Sequence, residues 1–498
     1  MPLIESFSGI RGIFDESLTE QAALRYAFSY YYFLNTKKSA KQISGVPEIR
    51  RISKQNKSKK NNVKIVIGAD TRPSRDIIKN AAIEALNCEI IDLGIAPTPA
   101  IELAVRHYNA DGGIIITASH NEPYWNGFKF LDNDGAILRP KDINKVIGFY
   151  NKIKNLKEKD FLKKYLYNEK NKNDIKLKKI IKKYIEVNEI YSDFILNFLT
   201  KEDIQNIKNS KLKIIIDPNG GTAIIARQIL EKLGVKVIGV NMQYGIFNRA
   251  IEPNIISLIY LESAIKEKNA AFAAAFDCDA DRVEIVLENG RLISGHYLLA
   301  LIIDDILFNL KNKNSIVVVN DATSNIVEYV TNKNNSKLKE VEVGEINVVD
   351  EMEKSKSPVG GEGSSAGVII RPSKCRDGIL TLIYILKIIA KKRKTLQDIL
   401  KEYPQYYTLA AKIEFNPKNH DKIKRFLKKY YLRKGYKVRE NGGIKGSLKV
   451  LIGEDSFVWF RASKTEANVF RIIADATTTL EAQKLLDEGR QMLEKAKK

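Results

Sequence analysis

Three carboxylates alternate in Asp277-Cys278-Asp279-Ala280-Asp281, directly after the apolar run 273–276. Carboxylates this close repel one another unless a cation sits among them, so the cluster reads as a hard-metal site, most plausibly for Mg²⁺. A hydroxyl stands at the end of another apolar run, Gly112-Gly113-Ile114-Ile115-Ile116-Thr117-Ala118-Ser119-His120-Asn121. Open α/β sheets hold ligands at the carboxyl ends of their strands, which makes Ser119 a candidate nucleophile. Taken alone, a serine there is far better explained by a turn that bonds its own backbone, and only the other loops reverse that balance. Near the end of the chain, Arg461-Ala462-Ser463-Lys464-Thr465-Glu466 gathers two cations and two hydroxyls, a set suited to phosphate. Gly360-Gly361-Glu362-Gly363-Ser364-Ser365-Ala366-Gly367 lets backbone approach a ligand closely, while Glu362 and Ser364 offer hydrogen bonds to hydroxyls.

Positioning such loops requires strands and helices behind them. Three times the sequence passes from an apolar strand through a small or polar loop into a helical pattern: from Lys64 through Asp70 to Asp76, from Lys213 through Asp217 to Ala223, and from Ser315 through Asn320 to Asn325. Each pass is followed, roughly fifty residues on, by one of the small-residue loops ending in Ser119, Asp281 or Gly367. The repetition predicts three related α/β domains, each presenting one loop at a strand end. Beyond Pro404 a segment of mixed strand and helix patterns reads as a smaller C-terminal α+β domain, with the Arg461–Glu466 segment on a loop after Phe460. The expected division is 1–185, 186–297, 298–402 and 403–498, with the four polar loops around a central cleft.

Composition narrows the class. Hydrophobic residues at 44% and charged residues at 29% are those of a globular chain. No apolar run reaches the roughly 18 residues of a membrane span, and residues 1–11 lack a basic-then-apolar leader. Cys88, Cys278 and Cys375 are widely spaced, which suits reduced thiols in the cytoplasm. The net charge of +22 is concentrated in two Lys/Asn-rich stretches, 36–64 and 152–183. A nucleic-acid surface would show such charge, but the first stretch has no aromatic to stack on bases. Both read as solvated faces, and the positive field would draw in an anionic substrate.

The carboxylate cluster has two rival readings. In an EF-hand, Glu288 would fall at the twelfth position, but Arg282 stands at the sixth, where glycine is needed, and the flanks are strand-like. A phosphatase of the haloacid-dehalogenase kind, with Asp277 as nucleophile, leaves Ser119 and the other loops without work. Together the loops resemble those of the α-D-phosphohexomutases, the superfamily of phosphoglucomutase, phosphomannomutase and phosphoglucosamine mutase. Phe7-Ser8-Gly9-Ile10-Arg11-Gly12 resembles a shortened form of the family's F-G-T-x-G-x-R-G loop. Thr117–Asn121 with Asn126-Gly127-Phe128-Lys129 is similar to T-A-S-H-N-P and N-G-x-K, Asp277–Arg282 to D-G-D-x-D-R, and Arg461–Glu466 to R-x-S-x-T-E.

The resemblance implies a phosphoserine at Ser119 that shares Mg²⁺ with Asp277, Asp279 and Asp281, with His120 and Arg282 around it. It further implies Arg11 and Lys129 beside the reacting oxygen, Lys129 carrying a proton, and Glu362 and Ser364 on sugar hydroxyls. Arg461, Ser463, Lys464 and Thr465 would hold the distal phosphate. His120 is expected in a supporting role, because neighbours on an extended loop point apart. Departures from the family pattern are Glu122 for the first proline, Lys464 for Asn or Gly, and Ser365-Ala366-Gly367 where many relatives carry Gly-His. Arg376-Asp377-Gly378 resembles the archaeal-like branch that includes phosphoglucosamine mutases. The expected enzyme is a cytoplasmic phosphohexomutase, monomer or homodimer, working through a hexose 1,6-bisphosphate. Glucosamine phosphate is the favoured substrate, with mannose and glucose phosphates next. An Asp-nucleophile phosphatase and a non-catalytic basic binding protein are the alternatives of another class.

Overall fold

The computed structural model describes residues 3–44, 63–166, 179–310, 314–363, 366–443, 445–463 and 468–497. Ser364, Lys464 and Thr465, and most of the Lys/Asn-rich stretch 36–64, lie outside the described residues, as does 167–178 of the second stretch.

Four sheets carry the chain. The first runs Ile4–Ser6, Gly9–Ile13, Trp125–Leu131, Gly112–Ile116, Lys64–Ala69, Glu89–Ile95, Lys179–Lys182. The second has the order Leu292–Ile293, Val283–Leu287, Phe272–Phe276, Lys213–Asp217, Lys236–Gly239, and the third Lys337–Val341, Ile316–Asn320, Val359–Gly361, Val368–Ile370. The fourth is wholly antiparallel: Tyr407–Glu414, Val469–Ala476, Ser456–Ala462, Ser447–Ile452, Lys437–Asn441. Three related α/β domains and a smaller C-terminal α+β domain are thus present, as expected.

One hairpin recurs in the first three sheets. The strands Gly112–Ile116, Phe272–Phe276 and Val359–Gly361 each lie parallel to a central strand on one side. Each then turns through its polar loop into an antiparallel neighbour. The strands entering these turns are fully buried and apolar or glycine-rich, so the chain cannot expose a polar atom until the sheet ends. The polar side chains therefore collect at the carboxyl edge, one loop per sheet.

Helices cover the sheets with their apolar stripes. Gly295–Asn309 and Gly378–Lys392 are apolar on most sides because each is packed between sheet and neighbouring helix. A single core extends from Val66 in the first sheet through Ile216 and Val318 to Ile389, joining the first three domains. The fourth sheet has its own core, around Leu427, Phe460 and Leu493. Its link to the third domain is pinned by Tyr297, whose hydroxyl donates to the Pro404 carbonyl (2.9 Å) and accepts from the Tyr406 amide (2.8 Å). The expected loop after Phe460 begins later than its sequence suggested. Arg461 and Ala462 are still in the strand, because its antiparallel ladder with the strand Val469–Ala476 runs on past Phe460 and pairs them with Arg471 and Phe470.

Candidate active site

Ser119 sits three residues beyond its strand, with its amide donating to the Thr117 hydroxyl (2.8 Å). Its φ of 52° is in the left-handed region, uncommon for a residue with a side chain and typical of positions where surrounding structure imposes the geometry. Arg72 does the imposing. Its guanidinium is 0% exposed and donates to the carbonyls of Ser119 (2.7 Å), Asn121 (2.5 Å), Glu122 (2.6 Å) and Trp125 (3.0 Å), while Nε donates to Asp70 Oδ2 (3.0 Å). The extended loop assumed for His120 is therefore incorrect. With the backbone curled at Ser119, the His120 ring stays beside its neighbour, Nδ1 lying 3.5 Å from Ser119 Oγ. Arg282, burial and Arg11 together push the imidazole far below its ordinary value, so it stays neutral.

The serine hydroxyl donates to Asp277 Oδ2 at 3.4 Å across 158 residues of sequence. Asp277, Asp279 and Asp281 are buried and each can place an oxygen within 4.8 Å of the others. Burial, then Asp281 and Asp279, raise Asp277 well above the carboxylate range. Asp281 faces the same burial, but Lys129, Arg376 and Arg282 outweigh it and hold its carboxyl below that range. Asp279 Oδ1 and Asp281 Oδ1 have no hydrogen-bond partner among the described residues. Buried carboxylate oxygens left without donors, beside a third carboxylate, are a donor set that fits a hard divalent cation.

Cations ring this cluster. Lys129 Nζ lies 2.8 Å from Asp279 Oδ2 and 3.1 Å from Asp281 Oδ2, and those charges raise its ammonium despite burial. Arg282 Nε stands 3.6 Å from Asp281 Oδ1 and 3.9 Å from Asp277 Oδ2. Arg11 donates to Asn121 Oδ1 (3.2 Å), and burial followed by Arg282 pushes its guanidinium down to about 10. The strand that bears Lys129 must pass close to that of Arg11. A Cβ on Gly127 would stand 2.1 Å from the Ile10 carbonyl, so only glycine permits this approach.

Glu362 follows the third hairpin strand. Its Oε1 accepts from Asn320 Nδ2 (3.0 Å) and the Gly344 amide (2.8 Å), leaving Oε2 directed toward Arg376 Nη1 at 3.6 Å. Arg461 Nη2 contacts Glu342 Oε1 at 2.9 Å, and the Ser463 amide donates to the Val469 carbonyl (2.7 Å). Burial lowers the Arg461 guanidinium, against Glu342, Asp321 and Glu362 of the third domain, whose charges raise it.

Two residues in this network were given no role at the site from sequence, although Arg376 was quoted there as a branch marker. Thr98 donates its hydroxyl to Asp279 Oδ2 (2.7 Å) and its amide to the Asp279 carbonyl (2.9 Å), fastening the metal loop to the first domain. Arg376 bridges Asp281 Oδ2 (3.4 Å), Glu345 Oε2 (2.9 Å) and Glu362, joining the metal and sugar loops. Position gave a usable signal for Arg72 alone, which follows the strand end in the first repeat.

Models of the phosphoglucomutase/phosphomannomutase α/β/α domains match in order: domain I over residues 49–157, domain II over 189–290 and domain III over 294–407. A phosphoglucomutase/phosphomannomutase of Thermococcus kodakarensis is 32% identical to the chain, covering 98% of each. The chain belongs to the phosphoglucomutase/phosphomannomutase family. It is thereby an α-D-phosphohexomutase, an isomerase that moves phosphate within a sugar phosphate. A phosphoglucosamine mutase of Prochlorococcus marinus is 30% identical over 97% of this phosphohexomutase and 96% of that protein. Among solved structures, a phosphoglucomutase/phosphomannomutase family protein of Burkholderia thailandensis superposes with a TM-score of 0.76, at 19% identity, over 98% of this chain and 96% of its own. That likeness establishes the common fold of the phosphohexomutase.

Proposed function

We propose that this phosphohexomutase exchanges phosphate between the 1- and 6-positions of a hexose phosphate through a phosphoserine at Ser119. The observation that carries the reading is the meeting of Ser119 Oγ with Asp277 at 3.4 Å, at the junction of three strand-end loops. In the first half-reaction the bond from phosphorus to Ser119 Oγ breaks and one forms to a sugar hydroxyl, whose proton is taken up. The bound sugar is then a 1,6-bisphosphate. After it turns, its other phosphate passes to Ser119 Oγ and the proton returns to the vacated sugar oxygen. No water enters the balance.

The residues match the needs of that transfer, which are positioning and charge stabilisation. Asp277, Asp279, Asp281 and the serine phosphate would hold Mg²⁺, which when bound neutralises charge on the transferring group. Arg11 and Lys129 supply positive charge at the reacting oxygen, and Lys129, an ammonium beside Asp279 and Asp281, would give its proton to the departing oxygen and regain one from the attacking hydroxyl. Arg282 and neutral His120 flank the phosphoserine, the latter without adding charge. Glu362 offers Oε2 to sugar hydroxyls together with Ser364, and Arg461, Ser463, Lys464 and Thr465 grip the phosphate that is not reacting. Glucosamine phosphate is the favoured sugar, supported by the phosphoglucosamine mutase relative and by the Arg376-Asp377-Gly378 sequence; mannose and glucose phosphates follow. A cytoplasmic setting suits the three buried free thiols.

Ser119→Ala tests the reading directly. Turnover should fall by at least about a thousandfold with an unchanged melting temperature, since the hydroxyl removed makes only a long contact, 3.4 Å, to Asp277 and the loop is held by Arg72. Coupled assays on glucosamine, mannose, glucose and N-acetylglucosamine phosphates, with bisphosphate activator, give the substrate order. Phosphate found stably on Asp277 and absent from Ser119 would instead support the phosphatase.

A further inference from the structure

Glu342 occupies the phosphate clamp. It follows the strand Lys337–Val341 in the third domain, two residues before Gly344, whose amide holds the sugar-loop carboxylate Glu362. Its Oε1 lies 2.9 Å from Arg461 Nη2 on the fourth domain. A Cβ on Gly442 would stand 2.3 Å from the Glu342 carboxyl carbon, so the carboxylate is lodged against the turn between two strands of the fourth domain. One carboxylate of the third domain is therefore enclosed by two segments of the fourth.

The pairing on the arginine side is incomplete. Arg461 is 5% exposed, and its Nε has no hydrogen-bond partner among the described residues. A guanidinium presents donors in a planar fork that a carboxylate or phosphate can take two at a time. Glu342 takes one arm and leaves a buried N–H without an acceptor, an arrangement that costs stability until a better-shaped anion arrives. A phosphate monoester has three terminal oxygens and close to two negative charges, enough to engage Nη2 and Nε together.

We propose that Glu342 is an internal stand-in for the non-reacting phosphate of the substrate, and that it sets both affinity and selectivity at Arg461. The hexose phosphate displaces the carboxylate, so binding is an exchange of anions. A neutral sugar cannot make that exchange, and a singly charged sugar acid makes it poorly. In this way Glu342 discriminates for phosphorylated sugars at a cost in affinity. The inference rests on the reading of Arg461 as the phosphate clamp.

The test compares full-length wild type with Glu342→Gln, Glu342→Asp, Arg461→Ala and the Glu342→Gln/Arg461→Ala double variant. KM for the hexose phosphate and the competitive Ki of inorganic phosphate are read for each, with melting temperature as a folding control. Glu342→Gln should lower both KM and Ki about tenfold, because the competing charge is gone and the donor is freed. Glu342→Asp should stay near wild type, and the gain should vanish in the double variant. A Glu342→Gln variant with unchanged or raised KM and Ki, where Arg461→Ala weakens both, would overturn the stand-in role while leaving the clamp in place. An Arg461→Ala variant with wild-type KM and Ki would remove the clamp itself, and this inference with it.

Discussion

Arg72 spends all of its donors on holding other atoms in place. Five acceptors, four of them carbonyls of the Ser119 loop and its exit, converge on one guanidinium with no exposure to water. Lysine offers one point charge and cannot reach the carbonyls on both arms, so Arg72→Lys leaves several of them buried and unpaired. The expected outcome is a loss of about 3 kcal/mol of stability and of at least a hundredfold in kcat/KM, read by thermal melts and a coupled assay. Intact-mass analysis should show slower phosphate incorporation at Ser119, because the left-handed turn that presents the hydroxyl relaxes. Restored kcat/KM in Arg72→Lys would mean that the loop keeps its shape without these bonds.

At the scale of elements, one side chain starts the helix Gly378–Lys392 and ties it to another. Asp377 Oδ1 accepts from the Leu380 amide (2.9 Å) as the helix cap and from the Tyr191 hydroxyl (2.8 Å) of the helix Glu186–Leu196, while Oδ2 has no partner among the described residues. Burial pushes the Asp377 carboxyl up to about 6, against backbone amides and Tyr191, which pull it down. A raised folded-state value means that the folded chain holds the proton more tightly than the unfolded chain. Its contribution is complete below about pH 4 and is lost as pH rises through 6, amounting to about 1–3 kcal/mol. The fall in melting temperature between pH 5 and 7 should therefore flatten in Asp377→Asn, which keeps an acceptor but cannot ionise. Asp377→Ala removes the cap and should lower the melting temperature at both pH values. The elements themselves were legible: buried runs ending in polar clusters marked the three hairpins, and Ser119 and the Asp277–Asp281 cluster carry their chemistry within a few contiguous residues. Thr98, Glu345 and Arg376 were not legible as parts of the site, because each is an ordinary helix or loop residue whose meaning comes from contacts distant in sequence: Thr98 and Arg376 to the metal loop, Glu345 to Arg376. Arg461 was recognised as a cation for phosphate, yet its strand position depended on pairing with Arg471, which no local pattern announces.

For the molecule as a whole, the fourth domain is attached by a small apolar cluster, Ala322 and Val343 against Phe457 and Trp459, with polar contacts around it. Asp321 at the third sheet's edge accepts from Trp459 Nε1 (3.1 Å), Asn441 Nδ2 (3.0 Å) and the Ser447 hydroxyl, all from the fourth domain. Lys449 and Arg439 add ion pairs to Glu340 at 2.5 and 3.0 Å. Asp321→Ala orphans three donors at once and should raise KM for the hexose phosphate roughly tenfold, with faster amide exchange in the strands Ser447–Ile452 and Ser456–Ala462. Unchanged exchange in those strands would show that the remaining ion pairs suffice. On the proposed phosphoserine route the bisphosphate reverses its ends between the two half-reactions, which would ask the fourth domain to loosen and re-form such contacts. Tyr297 decides what kind of loosening is allowed. With one phenol bolted to both Pro404 and Tyr406, the connector has a fixed fulcrum. A fourth domain that loosened while these two bonds held would swing its Arg461 about that point, much as a gate does on its hinge pin.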